Sequence, residues 1–183
     1  MPQLPLAVLV VGATCSGKSE AGRFLSHRGF RWIEPSKYLV QHVPLGMPVL
    51  ERLNAVDRFF RDHGADYVAK KMLAEILQDP SFPVVVTGCR QPIERDILNG
   101  PFHTVVVGLH SSTRTRYERS KRRTRGDAAI DFPSFVRASA WEYALGLGRL
   151  IFESDEVIEN EVSLTDLHFR LQELSDQLWK FSS

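Results

Sequence analysis

Apolar positions along the chain fall into two kinds of run. Leu6–Val11, Pro83–Val86 and Thr104–Leu109 are short, continuous and β-branched, and each gives way to polar or glycine-containing sequence. Continuous rather than alternating apolar character predicts strands covered on both faces, as in a parallel sheet. Phe30–Ile33 and Glu156–Ile158 are two weaker strands of the same kind. Between them apolar residues recur at helical spacing. SEAGRFLSHRG runs to Gly29, which predicts a helix stop. VLERLNAVDRFFRDHG puts Val49, Leu53, Val56 and Phe60 on one face, and DYVAKKMLAEIL does the same with Ala69, Met72, Leu73 and Ile76. The C-terminal SLTDLHFRLQELSDQLWK opens with Ser163 and Asp166 at capping-box spacing. Its Leu164, Leu167, Leu171, Leu174 and Leu178 form a stripe predicted to face the core. Strand and helix alternate throughout, so the expected class is α/β with a parallel sheet.

Composition narrows this little. The chain has 183 residues, 43% hydrophobic and 25% charged, which suits one globular domain over 1–183. A net charge of +1 favours neither nucleic acid nor an anionic membrane as a partner. No apolar stretch approaches the roughly 18 residues of a membrane span. The N-terminal MPQLPLAVLVVG lacks a basic leader pattern, and two cysteines make no disulfide framework. The expectation is a cytoplasmic protein.

Candidate chemistry changes the picture more. GATCSGKS, comprising Gly12, Ala13, Thr14, Cys15, Ser16, Gly17, Lys18 and Ser19, fits G-x-x-x-x-G-K-[ST] between a strand and a helix. Glycines let the backbone N–H groups close around phosphates at a helix N-terminus. Lys18 would reach the β- and γ-phosphates, and the Ser19 hydroxyl would ligate Mg²⁺. ATP and Mg²⁺ are the implied ligands.

HSSTRTRYERSKRRTRGD crowds Arg114, Arg116, Arg119, Lys121, Arg122, Arg123 and Arg125 into one stretch. As a helix it would put Arg116, Arg119 and Arg123 on one face. Mutual repulsion gives such a helix no intrinsic stability, so an anion must be considered. Three readings stand: a lid closing over transferring phosphates, a solvated surface helix, and a nucleic-acid contact. Aromatic interleaving is limited to Tyr117, which weakens the last. FPVVVTGCRQPIERDIL sets Arg90 just beyond a strand end, where open α/β sheets hold ligands, and its fork suits an acceptor's phosphate. Pairing of Arg90 with Glu94 on the surface is the alternative. Pro92 suits the first position of a short helix. Thr87 and Thr104 lie near strand ends where an acid would be expected for Mg²⁺ or for a proton.

The combined series resembles P-loop nucleoside-monophosphate-kinase-like proteins, especially a family of nucleotide kinases usually grouped with dephospho-CoA kinase. GATCSGKSEAGRFLSHRGF is similar to that family's opening, RFFRDHGADYVAKK to its L-R-x-x-x-G-x-x-x-V-A-K, and VVVTGCRQPIERDIL to its V-x-D-G-x-R-x-x-x-E. RYERSKRRTRGD and DFPSFVRASAWEYALGLGRLIFESDEVIEN resemble its lid and tail. The resemblance implies a three-layer P-loop NTPase fold with a five-stranded parallel sheet and an arginine-rich helical lid at about 112–140. It implies ATP phosphates at Gly12–Ser19, lid arginines at Arg116, Arg119 and Arg123 or Arg125, a second-helix lid arginine at Arg137, and acceptor binding at Arg90. Asn160 matches a position near the adenine and the phosphate loop, with a simple turn or cap as its alternative. The implied activity is γ-phosphoryl transfer from Mg·ATP to a small nucleotide or nucleotide-cofactor acceptor.

Two departures stand out. The family's Asp before G-x-R is Thr87, which would at most hold a Mg²⁺-bound water. The acid expected after strand two is absent from IEPSKYL, where Lys37 stands in its place and Glu34 is the candidate substitute. A non-catalytic nucleotide-binding protein, or an RNA-associated one using the basic helix, is the competing reading. The family's sheet order also makes the first and third strands neighbours, which leaves two readings for Cys15 and Cys89: two unpaired thiols with no shared role, or a regulatory disulfide.

Overall fold

The computed structural model describes residues 4–40, 42–43, 47, 49–80, 82–122 and 131–182. Its centre is a parallel sheet of β1 (Leu6–Val11), β2 (Arg31–Ile33), β3 (Val84–Thr87), β4 (His103–His110) and β5 (Glu156–Glu159), in the order β2-β3-β1-β4-β5. β1 pairs with β3 through Ala7–Val84 to Val10–Thr87, and with β4 through Leu6–His103 to Val11–Gly108. The three apolar runs therefore occupy the middle of the sheet, as their continuous character requires.

Alternate residues of β1 serve opposite faces. Leu6, Val8 and Val10 pack with α1 (Lys18–Ser26) and α8 (Leu164–Ser182), through Leu25, Leu171 and Leu174 among others. Ala7, Leu9 and Val11 pack with the other layer, which holds α3 (Tyr67–Ile76), α4 (Pro92–Asp96) and α7 (Gly148–Phe152). Three layers result, with helices on both sides of the sheet. α2 (Val49–His63), α5 (Thr113–Lys121) and α6 (Phe132–Glu142) lie over the C-terminal ends of the strands.

Several element ends differ from the sequence reading for local reasons. Phe30 is buried, but its N–H returns to Leu25 O, so β2 starts one residue later. The C-terminal helix is capped as expected, with Asp166 N donating to Ser163 Oγ and Ser163 N to Asp166 Oδ2. Leu164 departs from the leucine stripe: it is 53% exposed, whereas Leu167, Leu171, Leu174 and Leu178 are buried. It sits in the first turn, before the helix reaches α1 and the sheet. On α2, Leu53, Val56 and Phe60 share a face, and that face lines a cavity instead of the closed core. α4 has the Pro92 start and a capping box, formed by Gln91 and Glu94, that the sequence pattern does not assign. α7 likewise has no counterpart among the expected elements. No helix among the described residues is long and apolar enough to cross a membrane.

Candidate active site

Gly12–Ser19 connects β1 to α1 at the C-terminal edge of the sheet. Gly17 has φ +107°, and a Cβ there would lie 2.4 Å from Asn160 Nδ2. Both conditions demand glycine. Asn160, buried just after β5, donates from Nδ2 to Ser16 O at 2.9 Å and so supports the loop from behind. Its other amide atom, Oδ1, accepts from Arg119 Nη2 at 3.3 Å. Asn160 thus joins the phosphate loop to the basic helix. The structure places it against the loop as expected, in a bridging position. Lys18 folds back over the loop, its Nζ donating to Ala13 O at 2.9 Å.

A cavity of about 830 Å³ opens in front of this loop. Thr14, Cys15, Gly17, Lys18 and Ser19 form one end, and Glu34, Thr87, Arg90 and Arg119 also line it. The Ser19 hydroxyl lies 3.4 Å from Glu34 Oε1 and donates toward it. An octahedral Mg²⁺ binds oxygens at about 2.0–2.1 Å, so neighbouring ligands lie about 3 Å apart. Ser19 and Glu34 therefore fit a Mg²⁺ site. Thr87 is buried at the end of β3, and its hydroxyl accepts from Trp32 Nε1 at 2.9 Å. That bond leaves its proton for a water or ligand, as a secondary partner to such a site. Lys37 forms an ion pair with Glu75 of α3, and Glu75 also accepts from Tyr38 Oη at 2.7 Å.

The arginines divide. Arg119 is half-buried and faces the cavity. Arg116 is 2% exposed and absent from the cavity wall. Its guanidinium donates to Ser111 O, Thr14 O, Ser139 Oγ and Thr113 Oγ1, and lies 5.4 Å from the centre of the Phe135 ring. Arg116 is thus a structural tie between lid and phosphate loop in this conformation, which corrects its assignment to direct contact with phosphate. Arg137 is corrected as well. It is exposed and donates to Ser134 Oγ within α6. The inward positions of that helix are Phe135, Ala138, Ser139 and Glu142, and Arg137 belongs to the outer face. Arg123 and Arg125 lie outside the described residues. The lid region contributes α5 and α6 on either side of them.

Arg90 lines the cavity, and the alternative of a surface pairing with Glu94 takes another form. Glu94 is buried and accepts from the backbone N–H groups of Arg90 and Gln91, at 2.6 and 2.8 Å. The Arg90 guanidinium pairs with Glu142, Nε to Oε1 at 2.9 Å. Glu142 is the site residue that sequence reasoning left without a role. Its Oε2 accepts from Thr14 N at 2.8 Å and its Oε1 from Thr14 Oγ1 at 2.7 Å. Burial pushes its carboxyl up, but Arg90, Lys18 and the Thr14 donors outweigh burial and hold it at about 2. It lies in the segment DFPSFVRASAWEYALGLG that resembles the family's lid, on a helix opened by Asp131 and Pro133, but the resemblance attaches no role to it. Spacing to Thr14 or Arg90 gives no signal.

Neither cysteine forms a disulfide. Although β1 and β3 are neighbours as expected, Cys89 is fully buried among core residues, and burial pushes its thiol well up. That opposes the thiolate needed for exchange.

No family model matches the chain. It is 33% identical over 132 residues, 72% of its length and 71% of the relative's, to a UPF0200 protein of Hyperthermus butylicus. In fold it is similar to a sugar kinase from Janibacter sp. HTCC2649, with TM-score 0.63, 17% identity and coverage of 94% of this chain and 95% of that one. Shikimate kinase from Acinetobacter baumannii, solved with shikimate, aligns with TM-score 0.61 at 16% identity over 93% of this chain and 92% of its own. At these identities the likeness is one of fold, the α/β fold with a five-stranded parallel sheet that these two kinases share. The grouping with dephospho-CoA kinase rests on sequence motifs alone.

Proposed function

The chain belongs to the UPF0200 family, and from that premise we propose that it transfers the γ-phosphoryl group of Mg·ATP to a small acceptor of the nucleotide or nucleotide-cofactor class. The observation that carries this reading is a single cavity with the phosphate loop and Lys18 at one end and Arg90 facing the same space. Phosphoryl transfer asks a protein mainly for positioning and charge neutralisation. The loop amides and Lys18 would hold the donor phosphates, Ser19 and Glu34 would hold Mg²⁺, Arg119 would meet the developing charge, and Arg90 would grip an anionic group on the acceptor. Mg²⁺ held there would supply charge neutralisation at the donor phosphates.

The rest of the wall favours a nucleotide-like acceptor. Leu39, Val43, Leu53, Val56, Phe60 and Trp141 line the cavity, which suits a flat heteroaromatic or apolar body better than a polyhydroxylated one. A panel of acceptors incubated with labelled ATP tests the reading. Acceptor-dependent ADP release is expected with a nucleoside monophosphate or with dephospho-CoA. Tight, salt-sensitive binding of nucleic acid without such release would favour the nucleic-acid reading. Glu34→Gln should raise the Mg²⁺ requirement and lower turnover by about tenfold, the scale for losing a partner at a metal site. Unchanged Mg²⁺ dependence would remove Glu34 from that role.

A further inference from the structure

Thr14 stands third in the phosphate loop, and each of its polar groups is held by the lid. Its N–H and hydroxyl donate to Glu142 of α6. Its carbonyl accepts from Arg116 of α5 at 3.2 Å. Arg116 also donates to Ser139 of α6, so the two lid helices and the loop residue form one closed bonded set. A local loop requirement does not call for this, because the loop is already held at two other carbonyls, Ser16 O by Asn160 and Ala13 O by Lys18.

The same carboxylate reaches to the acceptor side. Glu142 Oε1 pairs with Arg90 while also accepting from Thr14 Oγ1. One residue further along, α6 widens into a π turn over Tyr143–Leu147, with Gly146 at φ +115°. A Cβ on Gly146 would lie 2.6 Å from Pro92 Cδ and 3.6 Å from Arg90 O. The turn that follows α6 therefore passes close over the Arg90–Pro92 segment, beside the ion pair of Glu142 with Arg90. A buried carboxylate flanked by two cationic groups and an N–H has only a narrow set of low-energy positions. It fixes Arg90 relative to the loop.

We propose that Glu142 is a positioning residue that couples the lid to both substrate subsites, holding Thr14 of the phosphate loop and the acceptor arginine Arg90 in one register. The role assigned to Arg90 rests on the phosphoryl-transfer reading; the coupling itself does not. Loss of the charge frees the guanidinium to sample other rotamers and loosens Thr14, so acceptor recognition suffers first. The donor phosphates keep the remaining loop amides and Lys18.

Amide exchange and kinetics on the full chain separate the possibilities. The Thr14 amide should be protected in the wild type and exchange at least about tenfold faster in Glu142→Gln, which keeps the shape and removes the charge. With an acceptor from the active panel, Glu142→Gln and Arg90→Gln should each raise acceptor KM by about tenfold, and the double variant should be little worse than either, as expected for residues acting through one contact. The ATP dissociation constant should stay within about threefold, since uniform donor binding is retained. Should the wild type transfer to no acceptor, the phosphoryl-transfer reading fails, while Thr14 exchange in Glu142→Gln and Arg90→Gln still decides the coupling. Thr14 exchange unchanged in Glu142→Gln, or multiplicative KM effects in the double variant, would overturn the proposal. Glu142→Asp, one methylene shorter, should restore the charge but not the reach, recovering less than half of the KM loss; full recovery would also count against a geometric role.

Discussion

The two ends of the cavity are built by different means. At the nucleotide end, eight consecutive residues supply the loop, and its shape follows from backbone constraints such as the left-handed φ at Gly17. At the end assigned above to the acceptor, Leu53, Arg90 and Trp141 come from three separate segments, and the chemistry resides in side chains. One end is a short-range feature of the chain and the other a product of its tertiary packing. The first accepts substitution at few positions. On the proposed function the second end would set specificity, since a site built from side chains changes without changing the sheet.

The strongest way to test this contrast is at Lys18. Its ammonium contacts the loop carbonyl of Ala13, faces the cavity and lies near the Glu142 carboxylate, outside the apolar core. Lys18→Ala should lower kcat/KM by at least about 10³, within the range assigned to a single charge-stabilising group in phosphoryl transfer. The melting temperature of the unliganded protein should shift by no more than about 2 °C, as for a substitution outside the core. Turnover retained in a well-folded variant would sink the assignment of the loop.

Arg116 and Arg119 sharpen the comparison, because they lie one helical turn apart and do different things. Arg119→Ala should cut turnover by about 10² or more, with stability close to that of the wild type. Arg116→Ala removes four hydrogen bonds from a buried guanidinium and should destabilise the fold by roughly 2–4 kcal/mol. Urea titration beside steady-state kinetics separates them. Equal stability losses in the two variants would refute the division between structural tie and charge stabiliser.

These two arginines also mark how far the sequence could be read. The sheet, most helices and the phosphate loop were legible because strands buried on both faces and glycine-dependent turns leave local signatures. Helical spacing placed Arg116 and Arg119 on one face, but it carried no information about which one the lid would enclose. The face of Leu53, Val56 and Phe60 was legible as a face, whereas its service to a cavity depended on where α6 settles. Glu142 was invisible for the same reason: its partners Thr14 and Arg90 are 128 and 52 residues away. Arg137 shows the converse. A motif match assigned it to substrate, and helix phase turned it outward.

Acid titration probes the junction between the two ends. The Glu142 carboxyl is held at about 2 in the folded protein, against an ordinary value of 4.5. A depressed folded value means the stabilisation is fully present above the unfolded value and is lost as pH falls from there toward the folded one. Wild-type stability relative to Glu142→Gln should therefore decline by about 3 kcal/mol between about pH 5 and pH 2, because each pH unit separating the two values is worth about 1.36 kcal/mol. The difference between the two unfolding curves cancels the contribution of the other carboxylates. A gap that stays constant through this window would mean that Glu142 is not held as an ion by its neighbours.

The smallest expected effect lies at Arg137, where the motif and the geometry disagree. Its guanidinium is exposed and bonded within its own helix, while Phe135, Ala138, Ser139 and Glu142 occupy the inward positions. To reach the cavity it would have to turn about half the circumference of α6. That rotation would break the Glu142 bonds to Thr14 and Arg90 and the Ser139 bond to Arg116. Arg137→Ala should accordingly leave kcat, acceptor KM and ATP affinity within about twofold of the wild type, as for an exposed side chain away from the site. A tenfold rise in acceptor KM would require α6 to rotate on binding. The bonded set that joins lid, loop and acceptor arginine would then belong to the unliganded state alone, and the fixed register proposed for Glu142 would have to give way to one remade in each catalytic cycle.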